Sequence, residues 1–387
     1  MRNIITTVLS IMLVVLIVYY ASNAIQFSLP LYLTQLSVTL ATVGIIMSIA
    51  NLIRVPVAFM SGIATKSYGR HKVLTVGCAM FAISILLLAS CNIAIISLSR
   101  AILGISAAFF FPTIWMLVSD IAARTGATGR IISIGNAVSS FGMILAFASS
   151  GFIINLFGFR KFFLMIGILL LLLTLPLSRV AKRFSSEQLV KIGVAIRDCA
   201  TLLKRRSFVL VLIATLIEMY VLYSWLTFTQ IYMKNIGLSE ALIGLVMSAE
   251  VATYAILQPL VGHIIDRLGL RSVLLLCTSP IYGLLLAYIP YTRTVLSLTL
   301  LMIGIALVSS PYVSTILYIL TRMSSEKERD LAVSVLFTLI YVGIGLGQVL
   351  TGIIAEYSMT IAYLHLAIII STLSIIGIVL YHNLQQR

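Results

Sequence analysis

The feature that most constrains this chain is a series of apolar runs, each close to the ~20 residues that an α-helix needs to cross a bilayer. They fall at about 4–33, 42–64, 73–92, 94–120, 131–155 and 161–178, and again at about 208–233, 240–264, 272–290, 294–320, 331–355 and 361–381. In lipid every backbone N–H and C=O has to be satisfied within the protein, so such runs are helices or closed barrels. Runs this long and continuous lack the alternation of barrel strands. The expected fold class is an all-α integral membrane protein with twelve transmembrane helices. Composition agrees: charged residues are 10% of the chain, against roughly 25% in a soluble domain. The first run, "MRNIITTVLSIMLVVLIVYY", outruns the ~7–15 residues of a signal-peptide core and no A-x-A-like site follows it, so it reads as the first span.

The net charge of +15 raises the question of nucleic acid, and its distribution answers it. With twelve spans both termini share one side, and 20 of the 26 Lys and Arg fall there, ten of them between Arg179 and Arg271. Arg160, Lys161, Lys234 and Arg293 fall opposite, and Arg54 and Arg100 lie within spans. This is the positive-inside bias, which makes both termini cytoplasmic; the expected location is the cell membrane, as a multi-pass protein. The basic charge is a topology signal and not a nucleic-acid footprint. Cys78, Cys91, Cys199 and Cys277 show no C-x-x-C spacing and support no disulfide framework.

The chain also repeats itself at an offset of 200. "ATVGIIMS" (41–48) returns as "ALIGLVMS" (241–248), Tyr32 as Tyr232 and Gly104 as Gly304. Same-direction halves of six helices imply parallel repeats about an axis along the membrane normal, with a solute site at mid-depth between them. The domains expected are a six-helix bundle over 1–178, a linker over 179–207 and a second bundle over 208–387. The linker is the one long polar stretch. Leu189, Ile192, Ile196, Cys199 and Leu203 recur in it at helical spacing, behind a capping-box pair Ser185 and Gln188. That predicts an amphipathic helix lying on the cytoplasmic face.

Four charges lie inside spans: Arg54, Arg100, Glu218 and Glu250. Each costs roughly 2.5–3.5 kcal/mol at a helix centre on insertion scales, so each has to pair or face water. Glu218 and Glu250 are near mid-depth, and Arg54 is close enough to the inner surface to snorkel. Polar stripes accompany them. Tyr19, Asn23, Gln26 and Pro30 share one face of the first helix, and Thr215, Glu218, Trp225 and Thr229 one face of the seventh. The tenth adds Ser309, Ser310 and Tyr312 around Pro311.

After the second and eighth spans come the loops "SGIATKSYGRHK" (61–72) and "VGHIIDRLGLRS" (261–272). Gly262, Asp266, Arg267, Gly269 and Arg271 spell Gly-x-x-x-Asp-Arg-x-Gly-x-Arg, while the first copy keeps Gly62, Gly69, Arg70 and Lys72 but has Lys66 in place of the acid. Together with the helix count, linker and repeat, this resembles the major facilitator superfamily over the whole chain. Arg100 and Gly104 match the family's Arg-x-x-x-Gly pattern in helix 4, and the resemblance implies a link to proton coupling for that arginine. It also implies that helices 1, 4, 7 and 10 line a central cavity, which makes the polar stripes the substrate candidates. The fifth helix, "IGNAVSSFGMILAFASSG", lacks the Gly-Pro-x-x-Gly-Gly run of drug/proton antiporters.

In that family the loop acids are thought to dock on the starts of helices 11 and 5. A carboxylate suits a positive helix N-terminus, and a lysine does not. Arg130 and Asp330 open those helices and are themselves related by the offset of 200. The expectation is two cytoplasmic latches of opposite polarity, Asp266 with Arg130 and Lys66 with Asp330.

No enzyme signature is present: no G-x-S-x-G, no Walker loop, and His71, His263, His365 and His382 have no metal-ligand spacing. No cofactor or metal is expected. The reading is a monomeric secondary transporter that moves a small solute by alternating access with proton coupling, an efflux permease being one form of it. A substrate-driven uniporter is the alternative within transport. A receptor or assembly protein on the same fold is the alternative outside it.

Overall fold

The computed structural model describes the backbone over residues 2–125, 128–184 and 204–385. Those residues are helical almost throughout, with no strand among them. The first helices are α1 (Arg2–Gln35), α2 (Leu40–Tyr68), α3 (Arg70–Leu88) and α4 (Ile93–Thr125). A helical run Thr128–Phe184 follows, interrupted at Gly158, whose φ of 77° and ψ of 162° break the helix into α5 (128–157) and α6 (159–184). After the linker come α7 (Arg206–Asn235), α8 (Glu240–Leu268), α9 (Ser279–Tyr288), α10 (Val295–Met323), α11 (Glu326–Tyr357) and α12 (Met359–Gln385).

By length and hydropathy ten runs qualify as membrane-crossing among the described residues, where the sequence reading has twelve spans. The difference lies in two long runs, Ser133–Thr174 and Glu240–Tyr291. The first contains the Gly158 break. The second passes from α8 through a 3-10 stretch, Gly269–Thr278, into α9. The ninth expected span is therefore a short α-helix with 3-10 turns at both ends. Pro280 in the first turn of α9 and Pro290 in the 3-10 turn beyond it each remove an N–H from the ladder.

The helices sort into two compact units. The first holds residues 1–37, 49–189 and 238–248; the second holds 38–48, 190–237 and 249–387. Each bundle thus includes the opening turns of a helix whose remainder belongs to the other. Glycine makes this possible. A Cβ on Gly44 would land on the Gln348 carbonyl of α11, and one on Gly244 would sit 2.5 Å from the Phe147 carbonyl of α5. Only a residue without a side chain lets backbones approach so closely.

The repeat has other structural counterparts. The Tyr32 hydroxyl donates to the Ser90 carbonyl at 3.0 Å, and Tyr232 donates to the carbonyls of Pro290 (2.9 Å) and Thr292 (2.8 Å). Each tyrosine ties the end of its unit's first helix to the turn between the third and fourth. Gly69 and Gly269, shared by the two loops, both have positive φ, 81° and 56°. This is why the loops keep glycine there.

Candidate functional site

The second unit buries a polar box. Glu218 stands about 18 Å along α7 from Arg206 at ~1.5 Å per residue, and its side chain is 1% exposed. Its Oε2 is buried with no hydrogen-bond partner among the described residues. Glu250 lies about 15 Å along α8 from Glu240 by the same rise and is 5% exposed. Tyr254 of α8 and Tyr282 of α9 lie within electrostatic reach of both carboxyls, and Tyr312 of α10 within reach of Glu218.

Hydrogen bonds among the neighbours give the box its shape. Trp225 Nε1 donates to the Tyr282 hydroxyl at 2.6 Å, and the Thr278 and Tyr312 hydroxyls pair at 2.8 Å. Gln258 of α8 bridges to α10, accepting from Ser314 Oγ at 3.1 Å and donating to the Ser310 carbonyl at 3.3 Å. Pro311 cannot donate to the Leu307 carbonyl one turn back; the Ser310 hydroxyl does so at 3.3 Å. Buried Tyr and Trp need such partners, so the rings stand in fixed orientations around the acids. Between Ser207 and Leu320 the interior parts of α7, α8, α9 and α10 contain these two glutamates and no Lys or Arg. The box is anionic or neutral as its carboxyls lose or hold their protons. Holding both charged there costs roughly 5–7 kcal/mol on insertion scales, which a proton or a bound cation can relieve.

The first unit is the opposite case. Arg100 is 4% exposed, and Arg54 lies within electrostatic reach of it. One turn away a Cβ on Gly104 would sit 2.5 Å from the Ala50 carbonyl, so α4 and α2 are in backbone contact between the two arginines. The first-helix stripe is tied inward. Trp115 Nε1 donates to the Tyr19 hydroxyl at 2.9 Å, and Asn23 Nδ2 donates to the Tyr19 carbonyl at 2.8 Å. Gln26 lies one turn further along α1, partly buried.

Not all stripe residues meet at one point. Thr229 pairs with the Tyr363 hydroxyl of α12 at 2.8 Å, so it serves the α7–α12 contact while Trp225 faces Tyr282. Ser309 is buried with its hydroxyl unpaired among the described residues, and Ser310 and Tyr312 belong to the box. In the loops, Asp266, Arg267 and Arg271 are exposed. The side chains of Lys66, Arg130 and Asp330, on which the two latches depend, lie outside the described residues, as do that of Arg70 and the linker over 185–203.

Sequence reasoning missed two features. One is Tyr254, Gln258 and Tyr282, which sit on helices not assigned to the cavity. The other is an ion pair where the linker meets α7. Arg205 binds both oxygens of Glu328, Nη2 to Oε1 at 2.6 Å and Nη1 to Oε2 at 3.1 Å. Glu328 closes a capping box with Ser325 at the start of α11. Arg205 and the Ser325 backbone and hydroxyl hold its carboxyl down at about 2. The Ser-x-x-Glu spacing was the available signal.

The described helices form a polytopic bundle in two repeats that buries Arg100, Glu218 and Glu250. The model of the Major Facilitator Superfamily matches residues 11–239 and 210–385, and the chain belongs to that family. Among solved structures, the nucleoside transporter NupG is 15% identical with a TM-score of 0.76 over 98% of each chain. A bacterial homolog of the human lysosomal transporter Spinster, inward-facing and occupied, is 14% identical with a TM-score of 0.73 over 98% of this chain and 95% of that one. These likenesses concern the fold. Among curated proteins, Multidrug resistance protein Stp of Mycobacterium tuberculosis is 25% identical over 287 residues, which is 60% of this chain and 53% of that protein. Stp of a second strain is 24% identical over 286 residues. The chain spans about half the length of the curated relatives it matches.

Proposed function

We propose that this transporter is proton-coupled and moves a small solute by alternating access, with Glu218 as the principal proton-responsive group and Glu250 beside it. One observation carries the reading. Glu218 is a buried carboxyl with an unpartnered oxygen among the described residues, on a helix whose interior offers no Lys or Arg. A charge that is costly when bare and relieved by one proton links occupancy of the site to the proton gradient. One charge crossing 100 mV is worth about 2.3 kcal/mol, enough to bias a transport cycle. The fixed arginines of the first unit supply a permanent charge, since guanidinium does not deprotonate in proteins.

Export across the cell membrane is the direction we favour, from the likeness to Multidrug resistance protein Stp. The basic side of the sequence, which includes both termini, then faces the cytoplasm. The test is proteoliposome flux with and without an imposed pH gradient. The native chain should accumulate solute against its gradient when pH drives it, and Glu218→Gln should lose that drive while still binding solute. Full pH-driven flux in Glu218→Gln refutes the assignment.

A further inference from the structure

We infer that Arg54 and Arg100 of the first unit bind an oxyanion, the carboxylate or phosphate group of the transported solute. This rests on the transport reading above and names a substrate class, on the bundle that the proton site does not use.

The charge of the first six helices is one-sided. Residues 1–178 contain one acidic residue, Asp120, and two arginines inside apolar runs, Arg54 and Arg100. The backbone contact of Gly104 with Ala50 is a common mark for α4 and α2, which run in the same direction. At ~1.5 Å per residue, Arg100 stands about 6 Å before that mark and Arg54 about 6 Å beyond it. Asp120 lies about 18 Å further along than Arg54 by the same rise, out of reach of the ~4 Å that an ion pair requires. Glu240 enters this unit with the opening turn of α8, but there it packs on Gly151 of α5. The charge that Arg100 feels is that of Arg54. Hydrogen bonds from the guanidiniums to neutral groups do not cancel it, and two cations away from water repel strongly. An anion between them converts that repulsion into attraction.

The chemistry of the pair selects the kind of anion. Each guanidinium is a planar fork of N–H donors that matches two oxygens of a carboxylate or phosphate. A spherical halide gains nothing from that fork. Arg54 is partly exposed and Arg100 is buried, so a solute arrives on the Arg54 side and meets a desolvated charge beyond it. Asn51, buried and three residues before Arg54, shares its face of α2 and adds an amide. Gln26 of α1, partly buried, lies at similar depth. It is about 14 Å from the end of α1, and Arg100 about 11 Å from the start of α4, at the helical rise. The second unit offers no equivalent, because its charges at depth are Glu218 and Glu250.

The experiment uses the purified full chain in nanodiscs of zwitterionic lipid, with calorimetry to measure affinity. Benzoate and phenylphosphonate are the oxyanions, and benzamide is their neutral counterpart. The better oxyanion should bind at least about tenfold more tightly than benzamide, and which of the two it is decides between carboxylate and phosphate. Arg54→Gln and Arg100→Gln should each reduce that preference by at least about tenfold and leave benzamide unaffected. Arg54→Lys, which keeps the charge and loses the fork, should retain part of it. Melting temperatures show which variants are folded, and the partly exposed Arg54 is the safer position to change. Equal binding of the three probes, binding of none, an unchanged preference in folded Arg54→Gln, or displacement of the oxyanion by equimolar chloride overturns the inference. The proton reading is checked apart from any substrate, by a pH-dependent infrared carboxyl band that disappears in Glu218→Gln. If that band titrates and the oxyanions bind no better than benzamide, the substrate class is wrong and the proton site stands. If an oxyanion is preferred and no carboxyl band titrates, the substrate class stands and the proton reading fails.

Discussion

In the first unit the largest fully buried side chains are phenylalanines, Phe27, Phe81, Phe110, Phe147, Phe162 and Phe163, and the charges within the apolar runs are Arg54 and the buried Arg100. In the second they include Trp225, Tyr282, Tyr312 and Tyr363, and the charges at depth are Glu218 and Glu250. The backbone plan is shared, down to the tyrosine clasps at Tyr32 and Tyr232 and the glycine crossings at Gly44 and Gly244. The repeat is thus kept where chain geometry demands it and abandoned where charge resides. The difference in charge type matters. An arginine is a constant charge at any physiological pH, while a buried glutamate can take up or release one. A bundle lined with Phe asks nothing of its core hydrogen bonds, whereas buried Tyr and Trp have to be paired and so hold polar atoms in set places. The arginines and the glutamates are on different repeats.

The sharpest way to break this contrast is to make the second unit resemble the first. Glu218→Arg replaces an ionisable carboxyl with a fixed charge in a box that keeps the carboxyl of Glu250. Transport should then lose its pH dependence altogether, with driven flux down by at least about tenfold, the equivalent of about 1.4 kcal/mol. A flux profile measured from pH 5.5 to 8 checks this; a profile shaped like that of the native chain would place the proton site elsewhere.

The shared backbone plan is tested at the crossings. Gly44→Ala and Gly244→Ala both drive a methyl group into a backbone carbonyl, and neither neighbour can rotate out of the way. Each should destabilise by about 1–3 kcal/mol, the usual range for overpacking, and by similar amounts because the repeat places them equivalently. Melting temperatures in detergent give the comparison. A large loss at one site and none at the other would mean that the two crossings are not equivalent.

The charges at depth, the repeat and the two bundles were legible because lipid leaves few alternatives: long apolar runs must be helices, and an ionisable residue inside one is conspicuous. Glu218 and Glu250 stood out for that reason. Tyr254, Gln258 and Tyr282 did not, since a Tyr or Gln on an apolar helix has no signature until its neighbours on other helices are known. Thr229 shared a helical face with Trp225 by periodicity, yet a few tens of degrees around the helix suffice to turn it to Tyr363. Hydropathy gives the ninth span as one continuous run because it does not register the N–H groups missing at Pro280 and Pro290. The family itself was readable from the loops, whose glycines answer to a backbone requirement.

The second unit also has an ion pair that the repeat does not duplicate, since the offset of 200 relates Arg205 to Ile5 and Glu328 to Thr128. Glu328 is held at about 2 against an ordinary 4.5, chiefly by Arg205 and then by Ser325. A carboxyl depressed on folding contributes stability above its unfolded value and loses it as pH falls through the folded one. The gap in melting temperature between the native chain and Glu328→Gln should be constant from pH 7 to about 4.5 and close by about pH 2. A gap that grows as the medium is acidified would have the wrong sign for this pair.

The smallest expected effect lies in the turns between the first and second helices of each repeat. Gly237 has φ 92°, and at the equivalent position the first repeat has Ser37 with φ 57°, the sole non-glycine with positive φ among the described residues. The left-handed region costs an L-residue roughly 1–2 kcal/mol and glycine almost nothing. The Ser37 N–H bonds the Thr34 carbonyl at 3.0 Å, so the turn closes in spite of that strain. Ser37→Gly should therefore raise the melting temperature slightly, the relief being partly offset by the greater freedom of glycine in the unfolded chain. Gly237→Ala should lower it by more, because the alanine takes on the strain and no such relief accompanies it. If both substitutions destabilise equally, the turns differ in more than their residue at this position, and the equivalence of the two repeats does not extend to the start of their second helices.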